Sequence, residues 1–432
     1  MDSSDQIERF LRSRRRPGLP EHFVIPHYCG YSVANIAPTI GQMLGVTVEH
    51  AAPPFPEHLW TPLAQDVSCV VLLILDAVGY SQLRQHLETE RSIFGGLATA
   101  GSLAPITSVF PSTTVSALTS IWTGQPPLRH GFLGTRLLLP KLGVLANLLK
   151  VAPAAYLGGG RLQDWGWEPD SLVQVPSLAS RLTASGVKTV AHTRLSFLGS
   201  SLTRIFLRGM DTLRGYVGLS DLWLNLSQTL AEREPNEPLF VGAYWGGTDQ
   251  IGHVYGPDGE YAPAALRQVA RSLKEDFIDR LPLESRAGTL LIVTADHGQI
   301  ATPPEKVVRL PHHPRLQETL LLPPAGESRA AYLYVRPGEE PDLRAYVKAH
   351  LAERFILVKT DWALEAGLWG LQREIPSGLR AQLGDLLMLA SDGSRLTTRK
   401  EEFPRGGLRG HHGSLTPEEM LVPLLMARLD RL

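Results

Sequence analysis

Aspartate and histidine side chains stand at spacings that suit the binding of metal ions. Asp249 and His253 are four residues apart, so on a helical turn both would point to the same side. Asp296 and His297 are adjacent, and Asp76 supplies a further carboxylate. Oxygen and nitrogen donors favour Zn²⁺, with Mn²⁺ as the alternative, over Mg²⁺, which prefers oxygen ligands and retains water. These residues indicate a centre for divalent cations.

Further imidazoles are available in the segment Gly410-His411-His412-Gly413, where the glycines let the backbone come close to a crowded site. Cysteine offers little, because the chain contains only Cys29 and Cys69 and no C-x-x-C pair. A thiolate metal site and a disulfide framework are therefore both excluded.

A hydroxyl-rich segment, Phe110 to Gly124, is expected to change from loop to helix near Thr113 and Thr114. Either threonine could simply cap the helix. A helix N-terminus also presents free N–H groups and a positive dipole end, which favour a phosphate or another tetrahedral anion. A threonine hydroxyl there could act as a nucleophile if a base or a cation activates it. A cation bound by the candidate metal ligands described above could activate the hydroxyl.

Short apolar runs alternate with helix-like stretches along the chain, a pattern typical of α/β proteins. The clearest predicted strands are Cys69–Leu75, Pro238–Tyr244, Thr289–Thr294, Asp385–Ala390 and Met420–Met426. Residues 262–281 predict an amphipathic helix between them. Strands that are apolar throughout imply a sheet covered on both faces, so we expect a doubly wound, mostly parallel sheet in a three-layer α/β/α sandwich.

Three of these strands lead to the acidic candidates. Cys69–Leu75 runs into Asp76, Pro238–Tyr244 runs towards Asp249, and Thr289–Thr294 runs into Asp296-His297. Each aspartate alone is explained equally well as a helix cap or a turn former. Ligands of open α/β sheets, however, bind outside the carboxyl ends of the strands, which is where all three would lie.

The composition narrows the class of protein. The chain has 432 residues, 43% of them hydrophobic, and a net charge of −1, so no global field favours stable nucleic-acid binding. Its longest apolar run, Cys69–Leu75, is far below the ~18 residues that span a bilayer. No apolar stretch follows the basic cluster Arg9–Arg16, so we expect no secretory signal and a cytoplasmic location. The cluster itself is interpreted as a solvated tail, with contact to an acidic surface as the alternative.

Proline and glycine also suggest how the chain is organised. Prolines concentrate between Pro303 and Pro324, and the stretch up to Gln382 has a small αβ pattern of its own. We expect one catalytic domain over residues 1–432, with an inserted cap over residues 303–382. Oligomeric state is not indicated.

Taken in chain order, these motifs resemble those of the alkaline phosphatase superfamily, and within it the type I phosphodiesterase/nucleotide pyrophosphatase family. The matching elements are the aspartate after a hydrophobic strand (Asp76), the nucleophile segment (Phe110–Thr114), D-x-x-G-H-x-x-G-P (Asp249–Pro257), D-H-G (Asp296–Gly298) and H-G (His412–Gly413). The resemblance implies an alkaline phosphatase-like fold and two divalent ions.

The same resemblance implies roles for seven side chains. One ion would be bound by Asp249, His253 and His412, and the other by Asp76, Asp296 and His297 together with the oxygen of Thr114. Thr114 is preferred to Thr113 as the nucleophile because its sequence separation from Pro111 matches the family pattern. His412 is preferred to His411 because the histidine ligand of the family directly precedes a glycine.

The reaction implied is an in-line displacement at phosphorus. Two cations about 3.5–4 Å apart can stabilise the attacking and leaving oxygens, and the Thr114 alkoxide would form a phosphothreonine intermediate. Water would then attack from the opposite side, so two inversions predict net retention at phosphorus. N–H groups at the start of the helix would stabilise the equatorial oxygens.

The substrate is less well indicated. Relatives that cleave nucleotides carry an asparagine after the H-G of the nucleophile region, whereas this chain has Thr135 followed by Arg136. The Thr135 hydroxyl is the candidate substitute, although an ordinary loop residue is the favoured interpretation of this position. We expect a small phosphate ester as substrate and phosphodiesterase or nucleotide pyrophosphatase activity. A phosphomonoesterase, a phosphonate hydrolase or a non-catalytic ligand-binding protein are the alternatives.

Overall fold

The structure is a computed structural model that describes residues 3–155, 162–168, 171–234, 237–372, 374–398 and 407–432. Seven strands within these ranges form a central sheet. In chain order they are β1 (Cys69–Leu75), β2 (Ser102–Thr107), β3 (Lys188–Arg194), β4 (Thr212–Tyr216), β5 (Leu239–Trp245), β6 (Thr289–Thr294) and β7 (Leu421–Arg428). Across the sheet they follow the order β2-β7-β6-β1-β5-β3-β4.

The central sheet is mostly parallel. Strands β6, β1, β5, β3 and β4 run in one direction, and β7 is antiparallel to both of its neighbours. Every residue of β1 and β6 is buried, which requires cover on both faces of the sheet. The predicted three-layer α/β/α class is confirmed, and the last strand, expected over Met420–Met426, begins and ends slightly later.

Helices pack against the central sheet and against the other strands of the chain. Those of eight or more residues are Ser3–Ser13, Ile36–Met43, Glu57–Ala64, Tyr80–Thr89, Ile93–Ala100, Thr114–Thr123, Leu219–Ala231, Gly247–Tyr255, Tyr261–Ser272 and Glu340–His350. Shorter ones are Pro127–His130, Leu178–Ala184, Ser201–Phe206, Leu283–Arg286, Pro314–Glu318, Thr360–Glu365, Ser377–Ala381 and Pro417–Met420. No helix in the described ranges is both long and apolar enough to cross a membrane.

One helix prediction and the interpretation of the N-terminal arginines need correction. The stretch 262–281 is a regular helix only over Tyr261–Ser272 and then widens into a π-helical turn, Leu273–Phe277. The basic N-terminal stretch is not a solvated tail. It begins as the helix Ser3–Ser13, because Ile7 and Leu11 give that helix a face that is buried against the protein.

A second sheet of seven antiparallel strands lies beside the first within the described residues. In spatial order it contains Phe355–Lys359, Leu386–Ala390, Ala330–Leu333, Ala325–Gly326, Arg136–Leu139, Val144–Asn147 and Ala152–Pro153. The strand expected over Asp385–Ala390 therefore exists but belongs to this sheet rather than to the core. Because it is buried throughout, its composition could not distinguish the two sheets.

This second sheet bears on the cap predicted over residues 303–382. Strands from that region, such as Ala330–Leu333, pair with Leu386–Ala390, and Gly326 pairs with Arg136. The sheet thus draws on segments before and after the expected insertion. An insertion with the boundaries 303–382 stays a prediction.

Candidate metal centre and nucleophile

Strand register brings the acidic candidates to one edge of the central sheet. In the register of β1 with its neighbours, Ile74 stands opposite Tyr244 of β5 and Thr294 of β6. The three strands therefore end at the same level. Asp76 directly follows β1, and Asp296 lies two residues after the end of β6, while the helix Gly247–Tyr255 carries Asp249 from the end of β5.

One group of candidate ligands is buried and consists of Asp76, Asp296 and His297. The Nε2 atom of His297 lies 3.5 Å from Oδ1 of Asp76 and 3.4 Å from Oδ2 of Asp296. Their exposed fractions are 3%, 0% and 0%. One donor atom from each residue can thus face the same small volume, as a shared cation would require.

The carboxylates of this group lack the partners that buried charges need. Oδ1 of Asp76 and Oδ2 of Asp296 make no hydrogen bond within the described residues. Burial, and then the neighbouring Asp296, raises the pKa of Asp76 well above its usual range. Tyr244 donates a hydrogen bond to the other Asp76 oxygen, and the amides of Ala77 and His297 donate to Oδ1 of Asp296. These contacts orient two oxygens that a divalent cation would satisfy.

A second group, Asp249, His253 and His412, is partly open to solvent. Oδ1 of Asp249 lies 3.3 Å from Nε2 of His253 and 3.9 Å from Nε2 of His412. The other ring nitrogens donate to backbone: Nδ1 of His253 to Gly410 O (2.6 Å) and Nδ1 of His412 to Ser112 O (2.9 Å). Both Nε2 atoms are therefore left as acceptors towards Asp249, the tautomer that a metal ligand needs.

Neutral imidazole is also favoured electrostatically at His412 of this second group. Burial, and then the neighbouring His297 and His253, lowers the pKa of His412 well below its usual range. The ring of His412 stacks on that of His297 with centroids 3.8 Å apart, so it joins the two groups. The donor set of both groups fits two divalent ions bound by nitrogen and oxygen.

Glycines allow the backbone segments around the two groups to approach each other. A Cβ atom at Gly410 would collide with the carbonyl oxygen of Gly252, which lies in the helix of Asp249 and His253. A Cβ atom at Gly298 would collide with the carbonyl oxygen of Glu418. The absence of side chains at these two positions brings His412 and His297 to the site.

Thr114 is the hydroxyl that faces the centre. Its Oγ1 lies 3.1 Å from Nε2 of His297, and it is the first residue of the helix Thr114–Thr123. Thr113 precedes the helix, is 2% exposed and directs its side chain to Glu327. Of the two threonines that the sequence left open, the geometry favours Thr114.

Two other candidates lie elsewhere. Nδ1 of His411 is hydrogen-bonded to Thr302 (2.6 Å), and His411 belongs to neither ligand group. The amide of Thr135 donates to Glu327 (2.6 Å), and its hydroxyl also bonds that carboxylate. A substrate contact through Thr135 therefore stays a prediction, since its hydroxyl already has a partner.

Several residues around the site were missed by the sequence analysis. Glu327 bonds both Thr113 and Thr135, and burial raises its pKa. The side-chain amide of Gln299 donates to Asp249 (2.5 Å), and Tyr244 bonds Asp76. Only Tyr244 carried a signal, as the residue near the end of a strand that leads to the site.

A buried ion pair supports the loop of His412. Both guanidinium nitrogens Nε and Nη2 of Arg329 bond the carboxylate of Glu419, at 2.7 and 2.8 Å, and both residues are fully buried. Glu419 also accepts hydrogen bonds from Ser414 N (2.9 Å) and Thr416 Oγ1 (2.8 Å). The backbone that follows His412 is thereby tied to a charge pair.

A mostly apolar cavity of about 220 Å³ opens beside Thr114. It follows one face of the helix, with Val115, Leu118 and Trp122 among its walls, and Tyr244 lines it as well. His192 lines the cavity and is 1% exposed. The candidate metal centre therefore lies next to a cavity that can hold an organic group of a substrate.

The chemical form of His192 follows from its hydrogen bonds. The hydroxyl of Thr229 donates its proton to Asn225 O (2.8 Å), so the 3.0 Å bond between Thr229 Oγ1 and His192 has Nε2 as donor. Nδ1 of His192 is then an acceptor, and it has no partner among the described residues. Burial, and then Arg214, lowers the pKa of His192 to about 4, so the ring is neutral.

Comparison with known proteins identifies the family of the chain. The family model for type I phosphodiesterase/nucleotide pyrophosphatase matches residues 70–415. No curated protein sequence matches the chain significantly.

Among solved structures, murine ectonucleotide pyrophosphatase/phosphodiesterase 5 superposes with a TM-score of 0.61 at 16% identity, covering 82% of this chain and 87% of that one. Phosphonoacetate hydrolase from Sinorhizobium meliloti 1021, in complex with phosphonoacetate, gives a TM-score of 0.62 at 17% identity, covering 89% and 93%. At these identities the likeness shows a common fold.

The chain therefore belongs to the type I phosphodiesterase/nucleotide pyrophosphatase family, in the alkaline phosphatase superfamily. It is a hydrolase of phosphoester bonds, and the family typically uses divalent metal ions. The resemblance and the class of enzyme that the sequence motifs indicated are confirmed.

Proposed function

We propose that the chain is a two-metal phosphodiesterase or nucleotide pyrophosphatase that acts through a phosphothreonine at Thr114. The observation that carries this proposal is the position of one hydroxyl, Thr114 Oγ1, 3.1 Å from His297 at the junction of two groups of candidate ligands. A threonine-to-alanine variant of murine ectonucleotide pyrophosphatase/phosphodiesterase 5, described as inactive and solved with AMP, supports the choice of a threonine.

The two groups would bind one ion each. Asp76, Asp296 and His297 would bind the ion next to Thr114, and Asp249, His253 and His412 would bind the other. We propose Zn²⁺ as the metal, with Mn²⁺ as the alternative, because imidazole nitrogen contributes to both sites. When bound, the two ions lower the pKa of coordinated oxygen and stabilise charge on the attacking and leaving oxygens.

The residues around Thr114 orient the phosphoryl group. Thr113 makes no side-chain cap bond to the helix it precedes, so the first-turn N–H groups are free of that partner. Those groups would donate hydrogen bonds to the equatorial phosphate oxygens, and the positive end of the helix would stabilise their charge. Thr114 attacks phosphorus, the ester oxygen leaves, and water then displaces the phosphoryl group from Thr114.

The apolar cavity supports a substrate that carries an organic group in addition to the leaving group. A phosphodiester has such a group, whereas a simple monoester, or a phosphonate that is cleaved at its C–P bond, has none besides the leaving group. The unpartnered acceptor at Nδ1 of His192 would favour an organic group with an O–H or N–H donor at its far end. We therefore place diesters before monoesters.

Hydrolysis of chromogenic esters tests this proposal. Protein loaded with Zn²⁺ or Mn²⁺ is expected to cleave bis-p-nitrophenyl phosphate faster than p-nitrophenyl phosphate. Thr114→Ala should lower kcat by on the order of a thousandfold or more, as loss of a nucleophile does in comparable enzymes, whereas Thr113→Ala should retain most of the activity.

Each rival has its own outcome in the same experiment. Preference for p-nitrophenyl phosphate would indicate a monoesterase, and turnover restricted to phosphonoacetate would indicate a phosphonate hydrolase. Absence of turnover on diesters, monoesters and phosphonates would indicate a binding protein.

A further inference from the structure

A second cavity, of about 460 Å³, lies away from the metal centre. It is formed by the N-terminal segment, by the turn that follows the helix Thr114–Thr123 and by residues 366–372. Its polar walls include Arg14, Arg16, His27, Tyr28, Gln125 and Arg129. None of the candidate metal ligands lines it, and no aspartate or glutamate is among its described lining residues.

The arginines of this cavity lack the acidic partners that other arginines of the chain have. The guanidinium groups of Arg14 and Arg129 form no ion pair or hydrogen bond within the described residues. In the part of the chain that the structure describes, the guanidinium of Arg16 bonds only carbonyl oxygens, Ala366 O at 3.4 Å and Arg15 O at 3.3 Å. Burial, and then the neighbouring charge of Arg16, lowers the pKa of Arg14. Arg329, by contrast, is neutralised by Glu419.

A histidine ring nitrogen in the same wall is a second observation that does not depend on the arginines. His27 is 7% exposed and lines the cavity. Its Nδ1 has no hydrogen-bond partner among the described residues, while its ring is packed against Phe10 and Tyr31. A buried polar atom without a partner costs free energy unless a ligand or a water satisfies it.

We propose that this cavity binds a small soluble anion with at least two phosphate groups, such as pyrophosphate or the diphosphate of a nucleotide. Guanidinium groups match phosphate oxygens by paired N–H donors and remain charged at every physiological pH. The volume lies within the range of small-molecule sites, roughly 300–1,000 Å³. With a net charge of −1, the chain has no general attraction for anions, so this concentration of positive charge is local.

Thiol labelling tests the site in the unmodified chain. Cys29 lines the cavity and is exposed, whereas Cys69, the other cysteine, is fully buried, so an alkylating reagent reports on Cys29 alone. EDTA is included to prevent binding of the probe to metal ions. Pyrophosphate at ten times its Kd is expected to slow the labelling roughly tenfold by mass action, and unchanged labelling would overturn the proposal.

Substitution of the arginines tests which groups bind the probe. The double variant Arg14→Gln/Arg129→Gln should weaken pyrophosphate binding, measured calorimetrically in EDTA, by about tenfold or more, since it removes two charge-assisted contacts. Arg15→Gln is the matched control, because Arg15 is exposed and lies outside the cavity. An equal loss in the control, or no loss in the double variant, contradicts the proposal.

The class of anion is decided by two further probes. ADP that binds more tightly than pyrophosphate identifies a nucleotide as the source, and equal affinity identifies the diphosphate as the recognised group. Citrate that binds as tightly as pyrophosphate rejects the phosphate assignment. Hydrolysis of bis-p-nitrophenyl phosphate should be unchanged in the double variant, so failure here is distinguishable from failure of the proposed catalytic function.

Discussion

The two groups of candidate metal ligands differ in their access to solvent. The side chains of His297 and Asp296 are 0% exposed and that of Asp76 is 4% exposed, whereas those of His253, Asp249 and His412 are 21%, 18% and 11% exposed. The buried group contains two carboxylates and one imidazole, whereas the open group contains one carboxylate and two imidazoles. The chemistry of each group follows from this difference.

The buried group places like charges together and leaves two oxygens without partners. Without a cation, this arrangement opposes folding, because burial and repulsion both disfavour the ionised carboxylates. The open group costs less to form, since it holds a single carboxylate, is partly exposed, and has imidazoles oriented by backbone carbonyls. We infer that the buried ion has a structural as well as a chemical effect, and that the open ion exchanges more easily.

The largest expected effect is on turnover when one carboxylate of either group is replaced. Asp296→Asn should lower kcat on bis-p-nitrophenyl phosphate by at least about a thousandfold, because it disturbs the ion next to Thr114. Asp249→Asn should also lower kcat, but excess metal should restore part of it, since His253 and His412 remain. Metal titration of both variants checks this, and equal rescue of both would remove the distinction between the groups.

A smaller effect is expected when the buried ion pair of Arg329 and Glu419, which supports the open group, is broken. Arg329→Met should lower the free energy of unfolding by about 3–5 kcal/mol, because Glu419 would remain buried and unpaired. It should also weaken metal binding at the open group, through the loop that links Glu419 to His412. Urea unfolding and metal titration measure the two effects.

A matched control separates burial from charge in that experiment. Arg271 pairs with Glu275 on the surface (2.9 Å), and Arg271→Met should change stability by less than about 1 kcal/mol. A similar loss in both variants would show that burial of the Arg329 pair is unimportant.

The smallest expected effect concerns the pH dependence of the metal-free chain. Because the folded pKa of Asp76 is raised, the native state binds a proton that the unfolded state releases at lower pH. The contribution of Asp76 is therefore complete below the unfolded pKa of 3.8 and is lost as pH rises through the folded pKa.

Asp76→Asn isolates that contribution, because the amide cannot ionise yet still accepts from Tyr244. Without metal, the variant should be more stable than the wild type at high pH by about 1 kcal/mol or more, the value of one pKa unit. With metal, the order should reverse. Thermal unfolding with and without EDTA checks both signs, and the idea fails if the variant is less stable in both conditions.

Much of the fold, and the approach of several candidate metal ligands to one another, could be predicted from local sequence patterns. Asp76 and Asp296 each end an apolar run, and parallel strands bring such ends to one edge. Asp249 and His253 share a helical turn. These placements depend only on strand and helix periodicity.

The remaining features depend on contacts between distant segments. Leu386–Ala390 is as apolar as a core strand, so only pairing shows that it joins the second sheet. Glu327, which bonds Thr135 across 192 positions in sequence, and Glu419, which bonds Arg329 across 90, have no spacing that marks them. The half-buried Arg14 and Arg16 could not be distinguished from a tail without knowing that the preceding helix docks.

The tight backbone contacts at Gly298 and Gly410 have a consequence for engineering this enzyme. Neither residue would touch a substrate or donate an electron pair to a metal, yet any replacement by an L-amino acid would force two chain segments apart. Random libraries should therefore contain almost no active clones altered at these two positions. Mutational scanning should therefore find positions that do not tolerate substitution although they take no part in the chemistry. Redesign of specificity is better directed to the residues that line the cavity.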